Sequence, residues 1–184
     1  MADVKNRQKL ASDPARAAAA RLLYSVLEDG AYSNLSSLKI LDQEDLDSRD
    51  RAFASAAVYG TISWLPMIDW QITKVSAKPL DKIDPWTRTI LRLGFWQLTK
   101  ATSVTESAAV DESVKLAHYF LHEGAAAFVN AVLRSWLRIR PQIPRKLEAL
   151  NYGLQTWLFG SLKKWYGYDR AVDLAEAFLE PQPW

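Results

Sequence analysis

The sequence predicts an all-α protein. Apolar residues recur every three or four positions in most segments, and no stretch alternates apolar and polar residues as a strand would. The dipeptides Asp13-Pro14 and Asp84-Pro85 have the cap-and-proline form of a helix start. With 184 residues, 49% of them hydrophobic, the chain can bury a sizeable core. We therefore predict a packed bundle of about seven or more helices.

Each predicted helix begins at a capping residue or a proline and ends at glycine, proline or a polar loop. The first six begin at Asp13-Pro14, Ser33, Asp47, Pro66, Asp84-Pro85 and the capping box at 103–106, and extend to about Gly30, Leu41, Ser63, Val75, Leu98 and Phe120. Beyond the following basic segment, Pro141 and Pro144 interrupt the pattern. Helices at 156–166 and 169–179 complete the chain.

The segment 124–138 has two distinct faces when it is read as a helix. The predicted inward face contains Ala125, Phe128, Val129, Val132, Leu133 and Trp136, and Asn130, Arg134 and Arg138 recur every fourth residue on another side. Residues 134–146 include five basic residues and no acidic one. This pattern fits a bundle helix whose edge faces a polyanion, and it also fits an ordinary solvated helix.

The charges are distributed unevenly along the chain. The net charge is only +2, but residues 1–21 contain five basic residues against two acidic ones. Residues 28–51 contain seven acidic residues against three basic ones. The folded protein should therefore have a basic side and an acidic side.

No catalytic centre of a recognisable kind is present. The absence of cysteine excludes thiol nucleophiles, zinc–thiolate sites and disulfides. The seven glycines are never grouped closely enough to form a phosphate-binding loop. His118 and His122 have a spacing that suits zinc, but no third ligand is fixed by spacing, so we expect a solvated or capping role.

Neither a secretory signal nor a membrane span is expected. The first ten residues are charged and lack an apolar core, and 18 consecutive apolar residues occur nowhere. The cytoplasm is the expected compartment.

Six ordered motifs resemble the NusB-type helical domain. They are GAYSNL at 30–35, RDRAF at 49–53, VYGT at 58–61, DPW at 84–86 with ILRLG at 90–94, AAVDESV at 108–114 and FVNAVLR at 128–134. They are most similar to the version at the N-terminus of bacterial ribosomal RNA small-subunit cytosine-5 methyltransferases of the RsmB (Fmu) family. Residues 151–180 resemble the helices that connect this domain to the catalytic part in that family.

The resemblance implies a NusB-like bundle of two three-helix subdomains followed by connecting helices. We divide the chain into a flexible basic arm at 1–12, an RNA-binding domain at 13–140 and connecting helices at 141–184. It also implies a role in binding ribosomal RNA of the small subunit. Cytosine-5 methyl transfer needs a thiolate and a turn that holds S-adenosylmethionine, and this chain has neither. We therefore expect an N-terminal fragment without a cofactor, whose parent uses S-adenosylmethionine and supplies a C-terminal catalytic domain.

Charge and facing, rather than the resemblance, select the candidate RNA-binding residues. They are Arg7, Lys9, Arg16, Arg134, Arg138, Arg140, Arg145 and Lys146, with Lys163 and Lys164 nearer the catalytic portion. Of the eight tryptophans, most should fill the core, including Trp70, Trp86 and Trp136, while one or two near the basic helix are candidates for stacking on bases.

Three alternatives stay open at this point. A free-standing NusB-like antitermination factor would bind a leader RNA together with a ribosomal protein. A helical protein-interaction module would dock a partner helix and bind no RNA. Homodimerisation is also open, because NusB-type domains sometimes dimerise.

Overall fold

The computed structural model describes residues 13–28 and 45–179, and every regular element in these residues is helical. The α-helices are α1 Pro14–Leu27, α2 Ser48–Ser63, α3 Leu65–Val75, α4 Pro85–Thr99, α5 Glu106–Phe120, α6 Glu123–Ile139, α7 Thr156–Tyr166 and α8 Tyr168–Ala177. Short 3-10 helices cover Leu80–Lys82 and Arg145–Tyr152. The all-α prediction is confirmed.

Three of the predicted helix caps form as expected. Asp13, Asp47 and Asp84 each accept a hydrogen bond from the backbone N–H three residues ahead, at 3.0, 2.8 and 3.0 Å. These bonds satisfy donors that the first turn of a helix leaves unpaired, so the carboxylates explain where α1, α2 and α4 begin.

The predicted capping box at 103–106 is wrong in its register. Helix α5 begins at Glu106, and its cap is Thr105, whose hydroxyl accepts from the backbone N–H of Ala108 at 3.3 Å. Ser103 lies in the preceding turn, which is closed by a hydrogen bond from the N–H of Val104 to the carbonyl of Ala101. Thr105 has the extended backbone that a cap requires, and it therefore takes the role.

The other boundaries lie within a few residues of the predictions. Helix α3 begins at Leu65, one residue before Pro66, and α8 covers Tyr168–Ala177 instead of 169–179. The two 3-10 helices were not predicted. The arm at 1–12 and the short helix at 33–41 lie outside the described residues.

Helix α4 is the centre of the bundle. Ten of its fifteen residues are buried, and it packs against α1, α2, α3, α5 and α6. Close approach to α5 depends on Gly94, because a Cβ atom there would lie 2.7 Å from the hydroxyl of Ser113. One continuous apolar cluster extends from α1 through α6 to Leu150 in the second 3-10 helix.

A charged network lies at the edge of this core. Arg92 on α4 donates to both carboxylate oxygens of Asp69 on α3, at 2.8 and 2.9 Å, and to Glu28 at 3.1 Å. Arg88, one turn earlier, pairs with the same Glu28, and this hydrogen bond raises the pKa of Arg88 above its ordinary value. The network joins the end of α1 to α3 and α4.

Helices α7 and α8 have a small core of their own. Ala149, Phe159, Leu162, Ala171 and Ala175 form a second apolar cluster beside the main one. Gly153 precedes α7 and has a φ of 67°, a conformation that favours glycine. A Cβ atom at this position would lie only 2.4 Å from the carbonyl oxygen of Ser63, so no other residue fits there without a shift.

Candidate nucleic-acid interface

Helix α6 carries the arginines that the sequence singled out. Its N-cap is His122, whose Nδ1 accepts a hydrogen bond from the backbone N–H of Ala125 at 3.2 Å. The expected capping role is therefore confirmed for this histidine. The helix ends at Ile139, and Arg140 follows in the left-handed conformation with a φ of 45°.

The inward face of α6 is nearly the predicted one. Ala125, Val129, Val132, Leu133 and Trp136 are buried in the main core. Phe128 differs, because it is only half-buried and contributes to the surface beside α3. The predicted inward stripe thus includes one residue that forms the wall of a groove.

Among the described residues, the two arginines on the outer face of α6 contact neutral side chains. Arg134 is exposed and donates through Nε to the side-chain oxygen of Asn130 at 2.7 Å. Arg138, also exposed, reaches the hydroxyl of Ser135 at 3.4 Å. Within residues 13–28 and 45–179, neither guanidinium lies in ion-pair distance of a carboxylate. Their positive charge is consequently available to an external anion.

These two arginines line a groove between α3 and α6, hereafter the α3–α6 groove. Its volume is about 430 Å³, and its apolar lining residues are Val75, Ala77, Phe128, Ala131 and Val132. A row of cations above an apolar floor suits single-stranded nucleic acid, whose phosphates and bases present both kinds of surface.

Two lysines at and just beyond the end of α3 were not among the predicted residues. The Nζ of Lys78 lies 5.4 Å from the ring centroid of Phe128, and that of Lys74 lies 5.5 Å from the ring of Trp70. Lys74 lies in the last turn of α3, and Lys78 follows four residues later. Phe128 lines the groove and α3 packs on α6, so Lys78 borders the groove, and the sequence contains no direct signal for this contact.

Arg16 has a different environment. It forms an ion pair with Asp13, donates through Nε to Gln97 at 2.6 Å, and lies 4.6 Å over the ring of Phe53. Its side chain is 12% exposed, and burial lowers its pKa. Arg16, which was predicted to contact RNA, is therefore largely buried and bonded to residues of the fold.

The remaining predicted cations are dispersed. Arg140 is exposed but pairs with Glu106 at 2.7 Å, and Arg145 and Lys146 are exposed on the second 3-10 helix. Lys163 on α7 donates to Glu148 at 2.8 Å, a bond that lowers the pKa of that carboxyl. The neighbouring Lys164 is exposed, and Arg7 and Lys9 lie outside the described residues.

Most tryptophans lie in the core region, as expected. Trp136 is buried, and Trp86 is stacked between Tyr24 and Phe120 with centroid distances of 4.1 and 4.5 Å. Among the described tryptophans, the most exposed are Trp157 and Trp165 on α7, at 70% and 67%. They are on the connecting helices, whereas the sequence placed candidate stacking residues near the basic helix.

Among the described residues, no helix combines the length and the apolar composition that crossing a membrane requires. In that same part of the chain, histidine and acidic side chains form no group of three that would hold a metal ion.

Residues 13–138 match the profile of the NusB family, which is more than half of the chain. The chain belongs to the NusB family. A crystal structure of T. maritima NusB has the same fold, with a TM-score of 0.58 at 23% identity over 76% of this chain and 94% of that one.

Longer relatives of this NusB-family chain carry methyltransferase names. It is 29% identical to the probable ribosomal RNA small subunit methyltransferase B of Bacillus subtilis, over 86% of this chain and 37% of that protein. It is 32% identical to the ribosomal RNA small subunit methyltransferase B of Thermus thermophilus, over 91% of this chain and 39% of that protein. The chain thus spans about two fifths of the length of these relatives.

Proposed function

We propose that this chain is the RNA-binding part of a ribosomal RNA small-subunit methyltransferase and that it holds RNA along the α3–α6 groove. The observation that carries the proposal is that Arg134 and Arg138 line the groove and that Lys78 lies over Phe128 in its wall. In the described part of the chain these three cations rest on an aromatic ring or neutral groups instead of pairing with carboxylates. Phosphates complete such a surface by displacing counterions.

The extent of the similarity favours the methyltransferase over a free-standing factor. T. maritima NusB is matched over 94% of its own length but covers only 76% of this chain. The two methyltransferase relatives cover 86% and 91% of it, which extends into the region of the connecting helices. The methyltransferase relatives thus match a larger share of this chain than the solved NusB does.

RNA binding and methyl transfer belong to different parts of the proposed protein. Cytosine-5 methyl transfer needs a thiolate and bound S-adenosylmethionine, and these 184 residues contain no cysteine. A C-terminal catalytic domain supplies both in the proposed parent protein, which acts in the cytoplasm on ribosomal RNA. This chain contributes affinity and orientation, because phosphate contacts fix the position of an RNA without selecting its sequence.

The exposed aromatic residues of α7 and α8 fit the contact with that catalytic domain. Trp157, Trp165, Tyr166, Tyr168 and Phe178 are between 54% and 70% exposed. So many large aromatic side chains are typical of a surface that another domain covers.

Charge reversal on the groove tests the RNA interface. The variant Arg134→Glu/Arg138→Glu should weaken binding of single-stranded ribo-oligonucleotides in fluorescence anisotropy, across different sequences. Each cation that contacts a single strand contributes about −0.7 to the slope of log K against log[salt], so losing two contacts should reduce the magnitude of the slope by roughly 1.4.

A matched control separates location from net charge. Arg49→Glu/Arg170→Glu changes the charge equally at exposed positions near the starts of α2 and α8, where helix dipoles tolerate an acidic residue. Its RNA affinity should stay near that of the wild type. Equal loss in both variants, or a wild-type slope near zero, would show that the α3–α6 groove is not the RNA-binding surface.

A further inference from the structure

A second concave site lies beside the C-terminal end of α6. Its volume is about 630 Å³, and it is enclosed by the start of α3, the ends of α4 and α6, and the second 3-10 helix. Among its lining residues are Trp64, Gln71, Lys100, Trp136, Arg140 and Asn151. We call it the α4–α6 cleft.

Two buried polar atoms of this cleft have no hydrogen-bond partner among the described residues. The side-chain oxygen of Gln71 and the indole N–H of Trp136 make no hydrogen bond, although each residue is only 8% exposed. Leaving such groups unpaired destabilises a folded protein, and native proteins seldom keep them without a reason. The Gln71 oxygen is an acceptor and the Trp136 N–H is a donor, and both residues line the same cavity. A ligand with one donor and one acceptor side by side would satisfy both.

The cleft also contains cations. The Nζ of Lys100 lies 3.1 Å from the ring centroid of Trp64, and burial lowers its pKa. No carboxylate among the described residues pairs with it. Arg140 lies 5.7 Å from the ring of Trp136 and is the one non-glycine residue with positive φ in the described part of the chain. Its guanidinium also donates to Glu106 at 2.7 Å, and the residue lines the cleft.

We propose that the α4–α6 cleft binds one nucleotide of a single-stranded RNA, with its base edge on Gln71 and Trp136 and its phosphate near Lys100 and Arg140. Each RNA base has both a donor and an acceptor on its edge, so this contact tolerates different sequences. The two unpaired atoms are shielded in the free protein. Movement of the Arg140 side chain off the Trp136 ring therefore accompanies binding.

The site continues the groove already described, so the inference rests on the proposed function. Helices α3 and α6 pack antiparallel, with Gln71 and Trp136 lining the cleft and Val75 and Arg134 lining the groove. An RNA strand that follows the cations of α6 toward its C-terminal end arrives at the cleft.

The variant Gln71→Leu tests the base contact in the full 184-residue chain. Removing an unpaired buried oxygen should raise the melting temperature, because an apolar side chain of similar size has no unmet hydrogen bond. If RNA uses that oxygen, the same substitution should weaken binding of a single-stranded ribo-oligonucleotide about tenfold, which corresponds to roughly 1.4 kcal/mol. Stability and affinity should therefore change in opposite directions.

Thr61→Val is the matched control. Its hydroxyl is also buried without a partner, at 0% exposure on α2, but it does not line the cleft. This variant should raise the melting temperature and leave the RNA affinity unchanged. If Gln71→Leu behaves in the same way as Thr61→Val, the unpaired oxygen is only a packing defect and the inference is wrong.

A second measurement uses the wild-type protein and single nucleotides. Titration with uridine and cytidine 5′-monophosphates should shift the indole ¹⁵N–¹H resonance of Trp136, and inorganic phosphate alone should shift it much less. Equal shifts with phosphate would reduce the site to an anion site, and no shift with any nucleotide would overturn the inference.

The two proposals fail separately. If Arg134→Glu/Arg138→Glu weakens RNA binding while Gln71→Leu does not, the groove binds RNA and the inference about the cleft is wrong. If Gln71→Leu weakens binding and nucleotides still shift Trp136 while the groove reversal has no effect, the cleft stands and the groove is not the interface.

Discussion

Helices α4 and α6 each carry two arginines four residues apart beside an apolar stripe, yet the two pairs have opposite environments. On α4, Arg88 and Arg92 bind Glu28 and Asp69 in a nearly closed ionic network. On α6, Arg134 and Arg138 are exposed and touch the neutral side chains of Asn130 and Ser135. The same spacing therefore serves the fold in one helix and remains available to an anion in the other.

The partners rather than the spacing decide which role an arginine has. Glu28 is 64 residues from Arg92 in the chain and Asp69 is 23 residues away, so only the packing of three helices creates the network. A buried charge that loses its partner is strongly destabilising, whereas an exposed arginine contributes little to stability. Substitutions in the two pairs should accordingly change different measured quantities.

The largest effect is expected at Arg92. Arg92→Met leaves the carboxylate of Asp69 without its bidentate partner and removes one of the two arginines on Glu28, whose side chain is 10% exposed. We expect the free energy of unfolding in urea to fall by about 3–5 kcal/mol. Arg134→Met is the control on α6 and should change it by less than about 0.5 kcal/mol. Similar losses in the two variants would contradict the distinction between the pairs.

Arg16 should behave as a member of the buried class. Arg16→Met leaves the side-chain oxygen of Gln97 without its donor, and Gln97 is only 1% exposed. The expected loss of unfolding free energy is about 1–3 kcal/mol, with RNA affinity unchanged in anisotropy. If the Arg16→Met variant stays folded but binds RNA more weakly than the wild type, Arg16 contributes to RNA binding after all.

Local signals in the sequence were enough for most of the fold. The aspartates at 13, 47 and 84 predict the starts of α1, α2 and α4 because a cap depends only on residues three positions apart. The α5 cap was misplaced since Ser103 and Thr105 compete within the same turn, and the backbone conformation that decides between them is not visible in composition.

The interface was predictable only in part. Arg134 and Arg138 follow from the period of α6, but Lys78 borders the groove through its contact with Phe128, which depends on the packing of α3 on α6. Arg16 was selected for its charge, and its carboxylate and amide partners remove it from the surface. Helical period predicts which side a residue faces, and it does not predict what the neighbouring helix presents there.

Asn130→Asp converts one class of arginine into the other. It places a carboxylate where the amide oxygen now lies 2.7 Å from Nε of Arg134, which turns a neutral partner into an ionic one. Stability should change by no more than about 0.5 kcal/mol, as for an exposed pair on one helix. The salt slope for RNA binding should decrease by roughly 0.7, the value of one phosphate contact on a single strand.

The control for this conversion is Asn130→Ser, which keeps the position neutral and should leave the salt slope unchanged. If Asn130→Asp has no effect on the slope either, Arg134 does not contact phosphate. The remaining cations of the groove would then have to account for the affinity.

Lys100 is intermediate between the paired arginines of α4 and the exposed arginines of α6. Its substitution should change the measured stability least. Burial lowers its pKa in the folded state relative to the ordinary value of 10.5, so in the pH window just below 10.5 the unfolded chain binds more protons than the folded one. The contribution of Lys100 to stability should therefore rise with pH through that window. Measured by urea unfolding between pH 7 and pH 10.5, wild-type stability should rise relative to Lys100→Met as the pH increases. A constant difference would mean that the Trp64 ring compensates the charge fully, and Lys100 would then resemble the paired arginines of α4 more than the exposed arginines of α6.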